Sequence, residues 1–216
     1  MSTVINAGQR GHNSGALLAR LEADVLAHEP DLVVLMAGTS DALGADSLVP
    51  FDEFRSNLLA VGTRIMARSR LLLLTIPPCH LDDVFSHTDW RVYREHGPLE
   101  RILRLNRIIR DATGELQAPL ADIHRIFAAV GKIGEAKISL LRNRANSGAR
   151  DGIHPTAHGH RVLAAAVRHT IATHRLPTTR IVCFGDGITY GTHMSGEGTS
   201  EGDTYPAELK RLLGEG

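Results

Sequence analysis

The chain has 216 residues, and its 24 basic and 24 acidic side chains cancel to a formal net charge of +0 at pH 7. This balance and an aromatic content of 4% argue against a nucleic-acid-binding surface and against a basic face for anionic membranes. The length fits one domain, residues 1–216, with a sizeable core, and no apolar run is long enough to cross a bilayer.

Five apolar runs predict β-strands, and several of them end at glycine or proline. A continuous apolar run such as "LVVLM" is typical of a strand that is covered on both faces. The predicted strands cover residues 3–8, 31–38, 70–78, 119–123 and 180–186.

Amphipathic segments lie between and after these strands, and their apolar residues recur at helical spacing. The first segment starts after Asn13 and Ser14, a typical helix cap, and the third is predicted to stop at Gly114. Strands that alternate with helices predict an α/β fold, with a parallel sheet of about five strands between two helical layers. The predicted helices are marked by Leu17, Leu21 and Val25; by Phe54, Leu58, Val61 and Ile65; by Ile102, Leu105, Ile109 and Ala112; by Leu163, Val167 and Ile171; and by Leu209, Leu212 and Leu213.

In parallel sheets the functional site lies beyond the carboxyl ends of the strands. Two irregular segments, 77–98 and 187–203, directly follow strands and are therefore candidate walls or lids of such a site. In the first segment, Trp90 and Tyr93 either line a substrate groove or anchor the loop to the body, and the second interpretation is slightly favoured.

The segment "DGIHP" carries the clearest chemical signal. Asp151 and His154 are three residues apart on a turn, close enough for the carboxylate to orient the imidazole as a general base. Glycine turns at strand ends supply backbone N–H groups that can stabilise an oxyanion. These are most of the parts of a nucleophilic hydrolase, but the nucleophile is not obvious.

Four segments together resemble the sequence blocks of the SGNH (GDSL-type) hydrolases, a family of esterases, lipases and carbohydrate deacetylases. They are "FGDGITYG", "INAG", "GTSD" and "DGIHP". The resemblance implies a flavodoxin-like, three-layer α/β/α fold without a cofactor or a catalytic metal. The implied site consists of a catalytic Asp151 and His154, Gly187 at the nucleophile position, an oxyanion hole of Gly187, Gly8 and Ser40, and loop support from Asp186 and Asp41.

The chain departs from the family pattern in three ways. The block that the family places first lies here at 180–216, which predicts a circularly permuted order. Gly187 replaces the nucleophilic serine, and Ser40 replaces an asparagine that donates to the oxyanion. Ser195 and Ser200 are possible substitute nucleophiles, but they are better explained as polar loop residues.

We therefore predict an ester hydrolase for small acyl or O-acetyl esters, strongly impaired by Gly187. A non-catalytic binding module on the same fold is the alternative. Direct hydrolysis by a water between His154 and Gly187 is a weaker hypothesis, and a flavin-binding flavodoxin relative ranks last. The moved block and the missing serine suggest either an engineered sequence or an inactive form, and both remain open.

Asp151, His154 and His158 are a possible zinc site, but three convergent ligands are not evident, and His158 and His160 are expected to be solvated. The expected partner is a small-molecule ester, with neither nucleic acid nor membrane, and the sequence gives no oligomeric state. An N-terminus without a basic head or an apolar run favours a cytoplasmic location.

Overall fold

A computed structural model describes residues 2–131 and 133–214. Its centre is a sheet of five parallel strands in the order β1-β5-β2-β3-β4. All five predicted strands are confirmed, although four of them are shorter than predicted. The strands are β1 (Thr3–Gly8), β2 (Leu32–Met36), β3 (Arg70–Leu74), β4 (Leu120–Ala121) and β5 (Arg180–Gly185).

Helices connect the strands and cover both faces of the sheet. They are α1 (Ser14–Asp24), α2 (Thr39–Leu43), α3 (Phe51–Met66), α4 (Leu81–Val84), α5 (Pro98–Leu116), α6 (Ile123–Val130), α7 (Arg144–Ser147), α8 (Ala157–Thr173), α9 (Gly187–Tyr190) and α10 (Tyr205–Gly214). Helix α3 packs against α1 and α5, whereas α8 packs against α6 and α10. The predicted three-layer α/β architecture is confirmed, and β2 in its interior is buried along its whole length.

The predicted start of α1 is also confirmed, because the side chain of Asn13 accepts a hydrogen bond from the amide of Ala16 at 3.0 Å. Helix α8 begins in the same way: the hydroxyl of Thr156 accepts from the amide of Gly159 at 3.1 Å. This second cap lies just after the Asp151–His154 turn and therefore fixes how the chain leaves it.

The third predicted helix corresponds to α5, and the prediction that it stops at Gly114 is wrong. Helix α5 continues to Leu116, and Gln117, with a left-handed φ of 47°, ends it. A glycine inside a helix costs about 1 kcal/mol relative to alanine. Burial of Leu116 against Gly62 of α3 favours the extra turn, and tertiary packing therefore overrides the local stop signal.

The sheet register brings three strand ends together. Gly185 at the end of β5 pairs with Gly8 of β1 on one side and with Met36 of β2 on the other. The guanidinium of Arg20 donates to the carbonyls of Ala7 and Gly185, both at 2.8 Å, and so ties the ends of β1 and β5. The segments that follow these strands therefore leave the sheet side by side.

Candidate active site

A cavity of about 260 Å³ lies beyond these three strand ends. Segments from distant parts of the chain line it, with Gly11 after β1, Ser40 after β2, His154 before α8 and Gly187 after β5. The cavity lies at the edge of the sheet where the sequence predicts the site. Apolar surface dominates its lining, so a small ester fits it better than a charged ligand does.

Asp151 and His154 form a hydrogen-bonded pair at this cavity. Nδ1 of His154 lies 3.1 and 3.0 Å from the two carboxylate oxygens, and the amide of His154 donates to Oδ1 at 2.8 Å. Burial alone would raise the pKa of Asp151, but the bonds from His154 and from the amide of Ile153 outweigh it and lower the pKa to about 2. The carboxylate is therefore ionised at neutral pH and orients the imidazole, leaving Nε2 for proton transfer.

Gly187 stands directly opposite that nitrogen. A Cβ built on Gly187 would lie 3.4 Å from Nε2 of His154 and 3.1 Å from Oγ1 of Thr192. The second contact is tight, and Thr192 has to shift by a few tenths of an ångström to accept a side chain. Gly187 is the first residue of α9 and does not have a positive φ, so its backbone also accepts other residues. A serine at this position would place its hydroxyl within reach of the imidazole.

Two buried carboxylates hold the loops around the cavity. Asp186 caps α9 by accepting from the amide of Ile188 at 3.1 Å, and it also accepts from the amide of Thr39 at 3.0 Å. Both oxygens of Asp41 accept from the amide of Ser14, at 2.9 and 3.0 Å, at the start of α1. Burial raises the pKa of Asp186, and it raises that of Asp41 to about 6. These contacts fit the loop support that the resemblance implies.

Gly8, one of the three predicted oxyanion donors, does not line the cavity. The amide of Gly8 already donates to the side chain of Asn6 at 3.0 Å, and Gly8 packs against the backbone of Tyr190, away from the cavity. Gly11 borders the cavity instead, with a φ of 71° that favours glycine. Within residues 2–131 and 133–214, the amides of Gly11 and Gly187 have no protein acceptor. We therefore replace Gly8 by Gly11 in the candidate oxyanion hole.

Ser40 lies where the oxyanion donor was predicted, on α2 at the wall of the cavity. The alternative nucleophiles do not line this cavity, since Ser195 is exposed and Ser200 is half-buried in the loop after α9. Gly187 lines the cavity next to His154 and Thr192.

The two irregular segments contribute differently. The segment 187–203 lends Ile188 and Thr192 to the cavity wall. The segment 77–98 does not line the cavity, and Tyr93 anchors it by donating to the carbonyl of Leu43 at 2.6 Å. Trp90 is 61% exposed and lies outside the wall, which favours the anchoring interpretation of this loop.

The structure places a different histidine near Asp151 and His154 from the one that the zinc hypothesis names. His158 is exposed, whereas His160 is fully buried and accepts the amide of Tyr205 on Nδ1 at 3.1 Å, so the expectation that both are solvated is wrong for His160. The second histidine that approaches Asp151, besides His154, is His193, whose Nε2 lies 3.8 Å from Oδ2. The guanidinium of Arg142 lies 3.5 Å from the same oxygen.

Comparison with known proteins decides the family. A family model described as the GDSL-like Lipase/Acylhydrolase family matches residues 1–162. The chain belongs to this family. The matched part contains Ser40, Asp151 and His154 and leaves out β5 and Gly187. No curated protein sequence is similar enough to count as a relative.

Solved structures show the same fold. The lipase/acylhydrolase from Enterococcus faecalis is 22% identical, with a TM-score of 0.57 over 78% of this chain and 74% of that chain. A GDSL-like lipase from Bacteroides thetaiotaomicron is 21% identical, with a TM-score of 0.58 over 76% and 73%. An acetylxylan esterase from Geobacillus stearothermophilus is 20% identical, with a TM-score of 0.55 over 74% and 68%. No helix in the described part of this hydrolase-family chain is long and apolar enough to span a membrane.

Proposed function

We propose that this protein is an ester hydrolase scaffold for small acyl or O-acetyl esters, in which Gly187 has replaced the nucleophilic serine. The observation that carries the proposal is the 3.4 Å between Nε2 of His154 and a Cβ built on Gly187. An imidazole oriented by a carboxylate faces this position, and two amides that have no acceptor in the described part of the chain border the same cavity. The acetylxylan esterase among the similar structures supports an O-acetyl ester as the substrate class.

With serine at 187, each group would have a defined role. Nε2 of His154 would take the hydroxyl proton while the oxygen attacks the ester carbonyl carbon. The amides of residues 187 and 11, with the side chain of Ser40, would hold the oxyanion. His154 would then return the proton to the leaving alcohol, and a water activated by His154 would hydrolyse the acyl-enzyme.

With glycine at position 187, the chain lacks the hydroxyl that would attack the ester carbonyl. Loss of the serine from another triad hydrolase lowers turnover by about 10⁶-fold, and we expect a loss of this order here. Apart from Gly187 and Ser40, the groups that the proposal requires are present, namely the Asp151–His154 pair, both supporting carboxylates and the cavity.

We further propose that the chain is a circularly permuted member of its family. Counted from β5 as the first strand, the sheet order β1-β5-β2-β3-β4 becomes 2-1-3-4-5, the order of flavodoxin-like folds. The block with Gly187 follows that strand, as the family's first block does. A rearranged chain that starts at β5 and continues from α10 into β1 should fold with the same thermal stability to within a few degrees. An unfolded rearranged chain would count against the permutation.

The test of the function compares Gly187→Ser with Gly187→Ala on p-nitrophenyl acetate. Both variants add the Cβ that contacts Thr192, and they differ only in the hydroxyl. We expect Gly187→Ser to hydrolyse the ester at least about 10³-fold faster than Gly187→Ala and the unchanged chain. Equal, negligible rates in all three folded proteins would reject the esterase assignment.

The non-catalytic binding module remains the second candidate, because Gly187 itself favours it. It predicts saturable binding of a short-chain ester to the unchanged chain, with no turnover even after serine is introduced. Isothermal titration alongside the rate assay separates the two functions.

A further inference from the structure

A third side chain joins the Asp151–His154 pair from the far end of the chain. His193 follows α9, and its Nε2 lies 3.8 Å from Oδ2 of Asp151. The rings of His154 and His193 are nearly perpendicular, with centroids 5.4 Å apart. One ligand atom from each of the three residues lies within 4.8 Å of the others, and within residues 2–131 and 133–214 no other group of three has this property.

Two imidazoles and one carboxylate are a typical ligand set for zinc. Zinc binds nitrogen and carboxylate oxygen at about 2.0–2.2 Å, so tetrahedral ligands lie roughly 3.3 Å apart. The three side chains need to approach by an ångström or so. His193 is able to make this movement, because its side chain is 47% exposed in the loop after α9.

We propose that Asp151, His154 and His193 bind a divalent transition-metal ion of the zinc class, and that this ion blocks the general base. A metal on Nδ1 of His154 leaves the single proton of the neutral ring on Nε2, and a metal on Nε2 occupies the lone pair that faces Gly187. In both cases Nε2 cannot accept a proton. The metal also takes the carboxylate that orients the imidazole. The blocking role depends on the proposed function, whereas metal binding itself does not.

The surroundings set the expected affinity and selectivity. Arg142 lies 3.5 Å from the same carboxylate, so its positive charge opposes a cation. We therefore expect micromolar rather than nanomolar binding. Imidazole ligands favour zinc, copper and nickel over magnesium and calcium, which prefer sites built from oxygen atoms alone.

Zinc binding is tested by isothermal titration calorimetry, in which zinc chloride is added to the metal-free chain. We expect one zinc ion per chain, and weakening by at least about tenfold for His193→Asn and for Asp151→Asn. The matched control is His158→Asn, an exposed histidine near the site but outside the cluster, which should bind zinc like the unchanged chain. No saturable zinc binding, or equal affinity in His193→Asn and His158→Asn, would overturn the site.

Blocking is tested on Gly187→Ser with p-nitrophenyl acetate. Zinc should inhibit ester hydrolysis by Gly187→Ser, and a chelator should restore the rate. The added His193→Asn change should raise the zinc concentration for half-inhibition at least about tenfold, with the inhibition of each variant measured relative to its own metal-free rate. Zinc that binds without inhibiting an active Gly187→Ser would overturn the blocking role. An inactive Gly187→Ser would reject the proposed function instead, while calorimetry would still decide the site.

Discussion

Nε2 of His154 faces Gly187 across 3.4 Å, measured to a Cβ built on the glycine, while Nδ1 of the same ring faces Asp151 at 3.0 Å. One imidazole therefore connects a partly buried carboxylate with the position of the missing serine. Because the carboxylate and the imidazole share one turn and the glycine follows the last strand, the sheet topology must bring them together.

In the Gly187→Ser background, Asp151→Asn should lower kcat/KM for p-nitrophenyl acetate by about 10²–10⁴-fold. The amide cannot hold the Nδ1–H tautomer in place as the ionised carboxylate does. Asp46→Asn, on an exposed aspartate, is the control and should leave the rate unchanged. If the two variants have equal rates and melting temperatures, Asp151 does not orient the base.

Gly8 and Gly11 should respond differently to alanine. A Cβ on Gly8 would lie 2.1 Å from the amide nitrogen of Tyr190, so backbone must move, and we expect a loss of at least about 2 kcal/mol in unfolding free energy. A Cβ on Gly11 meets no atom of the described residues within 4 Å, and the cost is the left-handed φ of 71°, about 1 kcal/mol. Urea unfolding measures both variants. A larger loss for Gly11→Ala would mean that the loop after β1 is placed differently.

Ser40 is predicted to limit the serine-restored enzyme. It lines the cavity where the family has an asparagine donor, and a hydroxyl is shorter than a carboxamide. Loss of one such donor costs about 10²–10³-fold in kcat, so Ser40→Asn in Gly187→Ser should recover at least about tenfold. Ser40→Ala is the matched control and should not exceed the parent. No difference between Asn and Ala would show that residue 40 does not donate to the oxyanion.

Much of the fold can be predicted from the sequence, because strands covered on both faces appear as continuous apolar runs. Leu32–Met36 is such a run and is buried throughout. The Asp151–His154 pair is equally predictable, since its contact lies within one turn. In both cases the local sequence alone indicates the structure that the folded protein adopts.

The contacts that the sequence did not reveal depend on distant partners. Gly8 and Gly11 are both glycines near the end of β1, and only the packing of Gly8 against the backbone of Tyr190, which follows β5, separates Gly8 from the cavity. Arg20 and His193 reach carbonyl or carboxylate groups in other segments, and nothing in their local sequence indicates those partners. Contacts between segments that meet only at the edge of the sheet can be predicted only once the order of the strands is known.

His160 shows how burial changes the chemistry of a residue that the sequence suggested to be solvated. Its ring stacks on Tyr205, Nδ1 accepts the amide of Tyr205, and Nε2 has no partner in the described residues. Burial lowers its pKa to about 3, with the charge of His154 adding to the effect. The neutral ring thus fixes the start of α10 against α8.

This pKa predicts that His160 contributes to a loss of stability in acid. Between about pH 6.5 and about pH 3 the unfolded chain binds a proton that the folded chain does not, so the unfolding free energy falls as the pH falls, by at most about 1.4 kcal/mol per pH unit. His160→Asn keeps an acceptor for Tyr205 and does not titrate. Urea unfolding from about pH 6 to about pH 4 should therefore give a flatter profile for this variant, and parallel profiles would mean that His160 is protonated in the folded protein.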